Sequence, residues 1–196
     1  MKKPLAGVRV LDLTHMLSGP YGAMILADLG AETIKVEPLH GEGTRKLLAT
    51  DPANSLDGMG AYFITLNRNK QSVAIDLKSE KGLQQFYRLV EQSDIVISNF
   101  GAGVPERLGI DFHALSKVNP RIITCTVTGF GSDGPSCKRP AFDQVAQATG
   151  GGMSITCADP DNPVRAGIPI GDLGGCMFGF MGVLAALYER ERSGTG

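Results

Sequence analysis

The apolar positions of the chain change period several times, and each change marks an element. VRVLDLT (8–14) is an apolar run broken by Arg9 and Asp12, which reads as a buried strand. SGP follows, and YGAMILADLGA (21–31) reads as a helix with Gly30 as its stop signal. ETIKVE (32–37) is a second strand, and strand, turn, helix and strand in this order make a βαβ unit, which implies a parallel sheet. SVAIDL (72–77), DIVISNF (94–100) and RIITCTVTGF (121–130) read as further strands, the last rich in β-branched residues. KSEKGLQQFYRLVEQS (78–93) places Leu83, Phe86, Leu89 and Val90 on one helix face, and VPERLG and DFHALSKVN read as short helices. AYFITLN (61–67) fits a helix or an extended segment equally. Strands alternating with helices predict an α/β domain with a doubly wound, Rossmann-like parallel sheet.

Two stretches break the alternation. Residues 38–60 are polar and punctuated by Pro38, Gly41, Gly43, Pro52, Gly58 and Gly60, and a loop of this length is expected to be functional or a lid. Residues 131–167 hold loop signals (GSDGP, ADPDNP), a helix candidate near FDQVAQA and the GGG of 150–152. A final helix is predicted from about Leu173 to Glu191, ending in the charged ERERSGTG. Its uncharged run, Leu173 to Tyr188, is shorter than the ~18 apolar residues of a membrane span and carries four glycines. A buried helix, and no membrane, is the expectation.

Composition narrows this picture only slightly. With 196 residues, 42% hydrophobic and 20% charged, the chain can build one core or two small ones. A net charge of −1 gives no reason to expect nucleic acid or an acidic membrane as partner, though it leaves room for a local phosphate site. Cys125, Cys137, Cys157 and Cys176 show no CxxC spacing and no companion histidines, so they read as reduced, mostly buried thiols of a cytoplasmic protein. Pro4, Gly7, Arg9 and Asp12 interrupt the apolar start, which argues against a signal peptide. There is no HExxH or EF-hand pattern, and no metal site is expected.

In open parallel sheets ligands bind outside the carboxyl ends of the strands. Those ends hold Thr14 to Pro20, then Glu37, Pro38 and His40, then Lys78, then Asn99, Phe100 and Gly101, with Arg107 a turn later. Glycine turns, helix starts, Lys78 and Arg107 suit a phosphorylated ligand. Gly19, Gly22 and Glu37 approach a dinucleotide fingerprint, which would suit NAD, but Pro20 stands where the backbone would meet a pyrophosphate. His15 is either a strand-end histidine satisfied by a carbonyl or a ligand-side group; His40 and His113 read as surface residues. No G-x-S-x-G elbow supports a serine nucleophile. IPIGDLGG (168–175) sets one carboxylate, Asp172, at the start of the last helix. Its simplest reading is an N-cap. Gly171, Gly174 and Gly175 exceed what a cap requires and would admit another backbone or a large ligand.

Several blocks converge on one family: PLAGVRVLDLTHMLSGPYGAMILADLGAETIKVE, FITLNRNKQSVAIDLKSEKG, DIVISNFGAGVPERLGID, NPRIITCTVTGFGSDGP, and IPIGDLGG followed by LAALYERERSGTG. In these, over essentially its whole length, the chain resembles the class III coenzyme A transferases, the group of formyl-CoA transferase, carnitine CoA-transferase and α-methylacyl-CoA racemase. The resemblance implies a CoA transferase acting between an acyl-CoA thioester and a small carboxylic acid, with Asp172 as covalent nucleophile and no tightly bound cofactor. CoA contacts would come from His15, Met16, Ile75, Lys78, Asn99, Phe100 and Arg107. Leu17, Pro38 and Phe142 stand where formyl-CoA transferase has glutamine, arginine and tyrosine, which questions formyl or oxalate specificity. Phe142 also replaces the histidine of the racemase G-H-D segment, so a racemase or isomerase is the lesser alternative; a CoA- or nucleotide-binding fragment without chemistry is another. Family members are about twice as long and form interlocked homodimers. Residues 1–190 would then be the N-terminal part of the large domain, incomplete without a C-terminal half, and 191–196 the start of a linker to a small domain. The isolated chain is expected to be inactive.

Overall fold

The computed structural model describes residues 3–157, 159 and 161–196. In chain order the elements are β1 (Arg9–Asp12), α1 (Ser18–Asp28), β2 (Glu32–Glu37), a 3-10 turn (Gly43–Lys46), β3 (Ser55–Leu56), β4 (Met59–Gly60), α2 (Ala61–Asn67) and β5 (Lys70–Ala74). They continue with α3 (Glu80–Val90), β6 (Ile95–Ser98), α4 (Val104–Leu108), α5 (Phe112–Val118), β7 (Ile123–Thr126), α6 (Asp143–Thr149), α7 (Gly152–Thr156) and α8 (Ile170–Ser193). Five parallel strands lie in the order β5-β2-β1-β6-β7. The order reverses at β1, so the crevice between the carboxyl ends of β1 and β6 is the switch point at which such sheets bind ligands.

The side-chain alternation of each strand feeds two cores. From β1 and β6, Val10, Ile95 and Ile97 join Ala23 and Leu26 of α1 and Val183 of α8 on one face. Leu11 and Val96 join Phe86 and Val90 of α3 and Leu115 of α5 on the other. The predicted face of α3 is the one buried, and Ser79 caps this helix by accepting from Gly82 N at 3.0 Å. Each of the larger of these side chains, valine, leucine, isoleucine or phenylalanine, contributes about 1.5–3 kcal/mol, and truncating the fully buried Phe86 to Ala would cost about 3–5 kcal/mol.

Beneath the switch point lies a buried ion cluster. Lys70 Nζ donates to Asp12 Oδ2 at 2.8 Å, and Lys35 Nζ sits 4.0 Å from the same carboxylate. Burial alone would raise the Asp12 carboxyl, but the two lysines hold it below its usual value. Lys35 also donates to Thr14 O at 2.8 Å, and Lys70 to Pro20 O at 2.9 Å. The turn from β1 into α1 is thus held by charges rooted in β2 and β5.

Several expectations change. The strands are shorter than their apolar runs, because residues such as Thr14, Asn99 and Thr128 leave the sheet to build the crevice. Segment 61–67 is helical. Segment 38–60 is no free lid: it folds into the 3-10 turn and the β3–β4 hairpin, whose signal is the Asp57-Gly58 pair, both at positive φ. It is tied to β2 by Arg45, which pairs with Glu37 at 2.6 Å. Helix α8 is long and apolar enough by length and composition to cross a membrane. It is not the buried helix expected, since Cys176, Val183 and Arg190 are its only buried residues while Phe178, Met181 and Tyr188 are exposed. Of the four thiols only Cys176 is buried.

Candidate active site

The loop after β1 is pinned from two sides. Asn99, following β6, uses its whole amide on His15: Nδ2 donates to His15 O at 2.7 Å and Oδ1 accepts from His15 N at 3.0 Å. Glu42 accepts from Met16 N at 3.3 Å. Met16 has φ 65°, a left-handed conformation that a non-glycine residue adopts only when its surroundings impose it. The loop therefore presents His15 and Met16 outward in a fixed pose.

A cleft of about 570 Å³ opens beside this loop. Its lining includes His15, Met16, Ile75, Lys78 and Phe100, five of the seven residues expected to contact CoA, together with Glu37, His40 and Glu42. Ile75 contributes from the core, being 5% exposed. Lys78 is exposed, with no ion pair among the described residues. His15 is half-buried; desolvation, with Lys35, outweighs Glu42 and lowers its pKa. His40 and His113 are exposed as expected, although His40 lies on the cleft wall. Arg107 is exposed on α4 and lines neither this cleft nor the cavity described next.

Asp172 lies in an adjoining cavity of about 390 Å³, with Asn99, Arg139, Phe142 and Asp143. His15 and Phe100 line both spaces, their rings 5.9 Å apart, so the two share a wall. The N-cap reading of Asp172 is corrected. Helix α8 begins at Ile170 with Pro169 at the N-cap, which puts Asp172 third in the helix. The cap comes from α6: Asp143 Oδ1 accepts from Gly171 N at 2.8 Å and from Asp172 N at 3.4 Å. The Asp172 carboxylate itself makes no hydrogen bond among the described residues, while its carbonyl accepts from Ser18 Oγ at 2.8 Å. Burial, and then the charge of Asp143, raise its pKa above 3.8. A carboxylate of this kind is more basic than an ordinary one and has both oxygens free.

The glycines of this segment have separate uses. A Cβ at Gly171 would meet Ala146 and Asp143 at 3.0 and 3.1 Å, and one at Gly175 would meet Ser18 Oγ at 3.3 Å, so both serve helix packing. Gly174 faces open space. The dinucleotide pattern is likewise taken up by packing. A Cβ on Gly19 would fall 2.4 Å from Thr14, Gly22 lies against Cys176, and Glu37 is occupied by Arg45 and Ser72. Among the described residues no three His, Cys, Asp or Glu side chains are grouped to hold a metal. Sequence reasoning missed Asp143, Glu42 and Tyr62. Tyr62 on α2 has its hydroxyl pKa raised by burial and then by the charges of Asp172 and Glu42. A proline at the start of α8, which has no side-chain acceptor, was the signal that a cap had to come from elsewhere.

The family model described as CoA-transferase family III matches residues 5–196. The acetyl-CoA:oxalate CoA-transferase of Acetobacter aceti is 43% identical over 100% of this chain and 49% of its own length. The formyl-CoA:oxalate CoA-transferase of Streptomyces coelicolor is 42% identical over 99% of this chain and 46% of its own. The crystal structure of a CAIB/BAIF family protein from Brucella suis superposes with a TM-score of 0.92 at 36% identity, covering 100% of this chain and 52% of that one. The chain spans about half the length of the curated relatives it matches.

Proposed function

This chain belongs to CoA-transferase family III, and from that premise we propose that the whole protein moves coenzyme A between an acyl-CoA thioester and a small carboxylic acid through Asp172. The observation that carries the reading is the shared wall. A ligand whose nucleotide end fills the 570 Å³ cleft passes His15 and Phe100 to bring its acyl end into the cavity that holds Asp172.

In the proposed sequence a carboxylate oxygen of Asp172 attacks the thioester carbonyl carbon. The C–S bond breaks, CoA leaves as thiolate, and a mixed anhydride remains. The thiolate then attacks the aspartyl carbonyl of that anhydride, forming an aspartyl-CoA thioester and releasing the donor as its carboxylate. The acceptor carboxylate attacks this thioester, the C–S bond breaks, CoA leaves again as thiolate, and a second anhydride forms with the aspartyl group. The returning thiolate attacks the acceptor carbonyl, giving the new acyl-CoA and restoring Asp172. The thioester bond energy is kept, no proton is consumed overall, and covalent catalysis divides one hard transfer into easier steps. Water must stay out, because it would hydrolyse the anhydride.

On this reading Lys78, an exposed cation on the cleft lining, meets the phosphates of CoA, and the pantetheine arm runs along the wall that His15 and Met16 form. The whole protein is proposed to act as a homodimer in the cytoplasm. The test is exposure to an acyl-CoA followed by hydroxylamine trapping and mass analysis of the peptide containing Asp172. A mass shift on that residue, with turnover abolished in Asp172→Ala, is expected; turnover by Asp172→Ala equal to the parent would overturn the assignment.

A further inference from the structure

A helix start leaves four backbone N–H groups without partners, and a carboxylate in the first turn readily folds back onto them. At Asp172 that capture would consume the oxygens needed for attack. Here the donors are taken already: Asp143 Oδ1 accepts from Gly171 N and Asp172 N, at 2.8 and 3.4 Å. Asp143 is only 8% exposed, and its other oxygen accepts from Gln147 Nε2 at 2.7 Å. Gln147, one turn further along α6, accepts from Ala166 N at 2.7 Å and so holds the segment leading into α8. Pro169 has no side-chain acceptor, so the cap must be supplied from another element.

We propose that Asp143 is a positioning residue of the site: it caps α8 from outside and so leaves the Asp172 carboxylate without a backbone donor and free to attack. The inference rests on the reading of Asp172 as the acyl-accepting residue. Asp143 and Gln147 form a clip that fixes both the direction of the first turn and the freedom of the nucleophile. The groups facing Asp172 electrostatically are Asp143 on α6, Tyr62 on α2 and Cys176 one turn along α8, with His15 and Arg139 also lining its cavity.

The experiment compares the whole wild-type protein with Asp143→Asn and Asp143→Ala, using acyl-CoA labelling of Asp172, steady-state kinetics and the pH profile. Asn keeps an acceptor oxygen but removes the charge, whereas Ala removes both. In Asp143→Ala the freed amides recapture Asp172, and kcat is expected to fall about 10- to 100-fold with KM for acyl-CoA unchanged. Asp143→Asn should retain most of kcat, while its acid limb moves to lower pH as the repulsion is lost. Equal kcat in Asp143→Ala and wild type, or an unmoved acid limb in Asp143→Asn, overturns the inference alone. Wild-type protein that never labels at Asp172 overturns the reading of Asp172 and the inference with it.

Discussion

The side-chain amide of Asn99 closes a two-bond ring on the backbone of His15, joining the carboxyl end of β6 to that of β1 at 2.7 and 3.0 Å. Both polar atoms of Asn99 are used in this ring, so the residue shapes the crevice by holding its neighbour. Asn99→Ala leaves a half-buried N–H and C=O unpaired. The expected loss of stability is about 1–3 kcal/mol. The freed loop should also weaken CoA binding about ten-fold, in line with what small misplacements cost an organised site. Thermal melts and CoA titration calorimetry check both; unchanged CoA affinity would show that the ring does not shape the crevice.

Asp172 stands in conflict with stability. Its pKa is raised by burial and by Asp143, so folding favours its neutral form. That contribution is complete below the ordinary value of 3.8 and is lost as pH rises through the folded value. At pH 7 the ionised group therefore destabilises the fold. Asp172→Asn should melt higher than wild type at pH 7, with the gain vanishing in strong acid, while turnover disappears. A lower melting temperature at pH 7 would contradict this account.

Glu37 behaves oppositely. Burial pushes its carboxyl up, but hydrogen bonds from Arg45, Ser72 and the Glu42 amide bring it down to about 2 from 4.5. Its stabilisation is present above 4.5 and is lost as pH falls toward 2. Arg45→Ala strands a carboxylate whose side chain is 2% exposed and releases the guanidinium stacked 3.9 Å from the Phe63 ring. A destabilisation of about 2–4 kcal/mol at neutral pH is expected. Acid unfolding should begin at higher pH, and limited proteolysis should cut within 38–60. A wild-type acid transition in this variant would rule out the tie.

Lys78 should behave as an exposed point charge toward phosphate. Lys78→Ala is expected to weaken CoA binding about ten-fold at low ionic strength and much less in molar salt. Arg107→Ala, at a position outside the cleft lining, should have the smaller effect. The reverse order would assign the phosphates to α4.

The fold was largely legible because its determinants are local. Period-two and period-3.6 patterns survive in single elements, as in Leu83, Phe86 and Val90 of α3, and strand–helix alternation leaves little topological freedom. The cleft was legible for the same reason, since His15, Lys78 and Phe100 each follow a strand. What escaped was set by partners far along the chain. Asp143 caps a helix that begins 27 residues later, Glu42 fixes Met16, and Lys35 reaches Thr14; no local pattern records these pairings. The start of α8 was misplaced by three residues because Gly171 and Pro169 carry weak helical signals, and that shift turned an expected cap into a first-turn residue.

The two spaces that meet at His15 and Phe100 are built from different parts of the gene. Every residue of the larger one lies between positions 13 and 108, whereas the smaller one draws chiefly on 127–146 and 171–175. On the proposed reading, the carrier handle is written in one stretch of coding sequence and the cargo preference in another. Mutation or recombination in the second stretch can then retarget the acid while the affinity for the carrier is inherited intact. One ancestral handle could in this way serve enzymes whose names differ only in the acids they exchange.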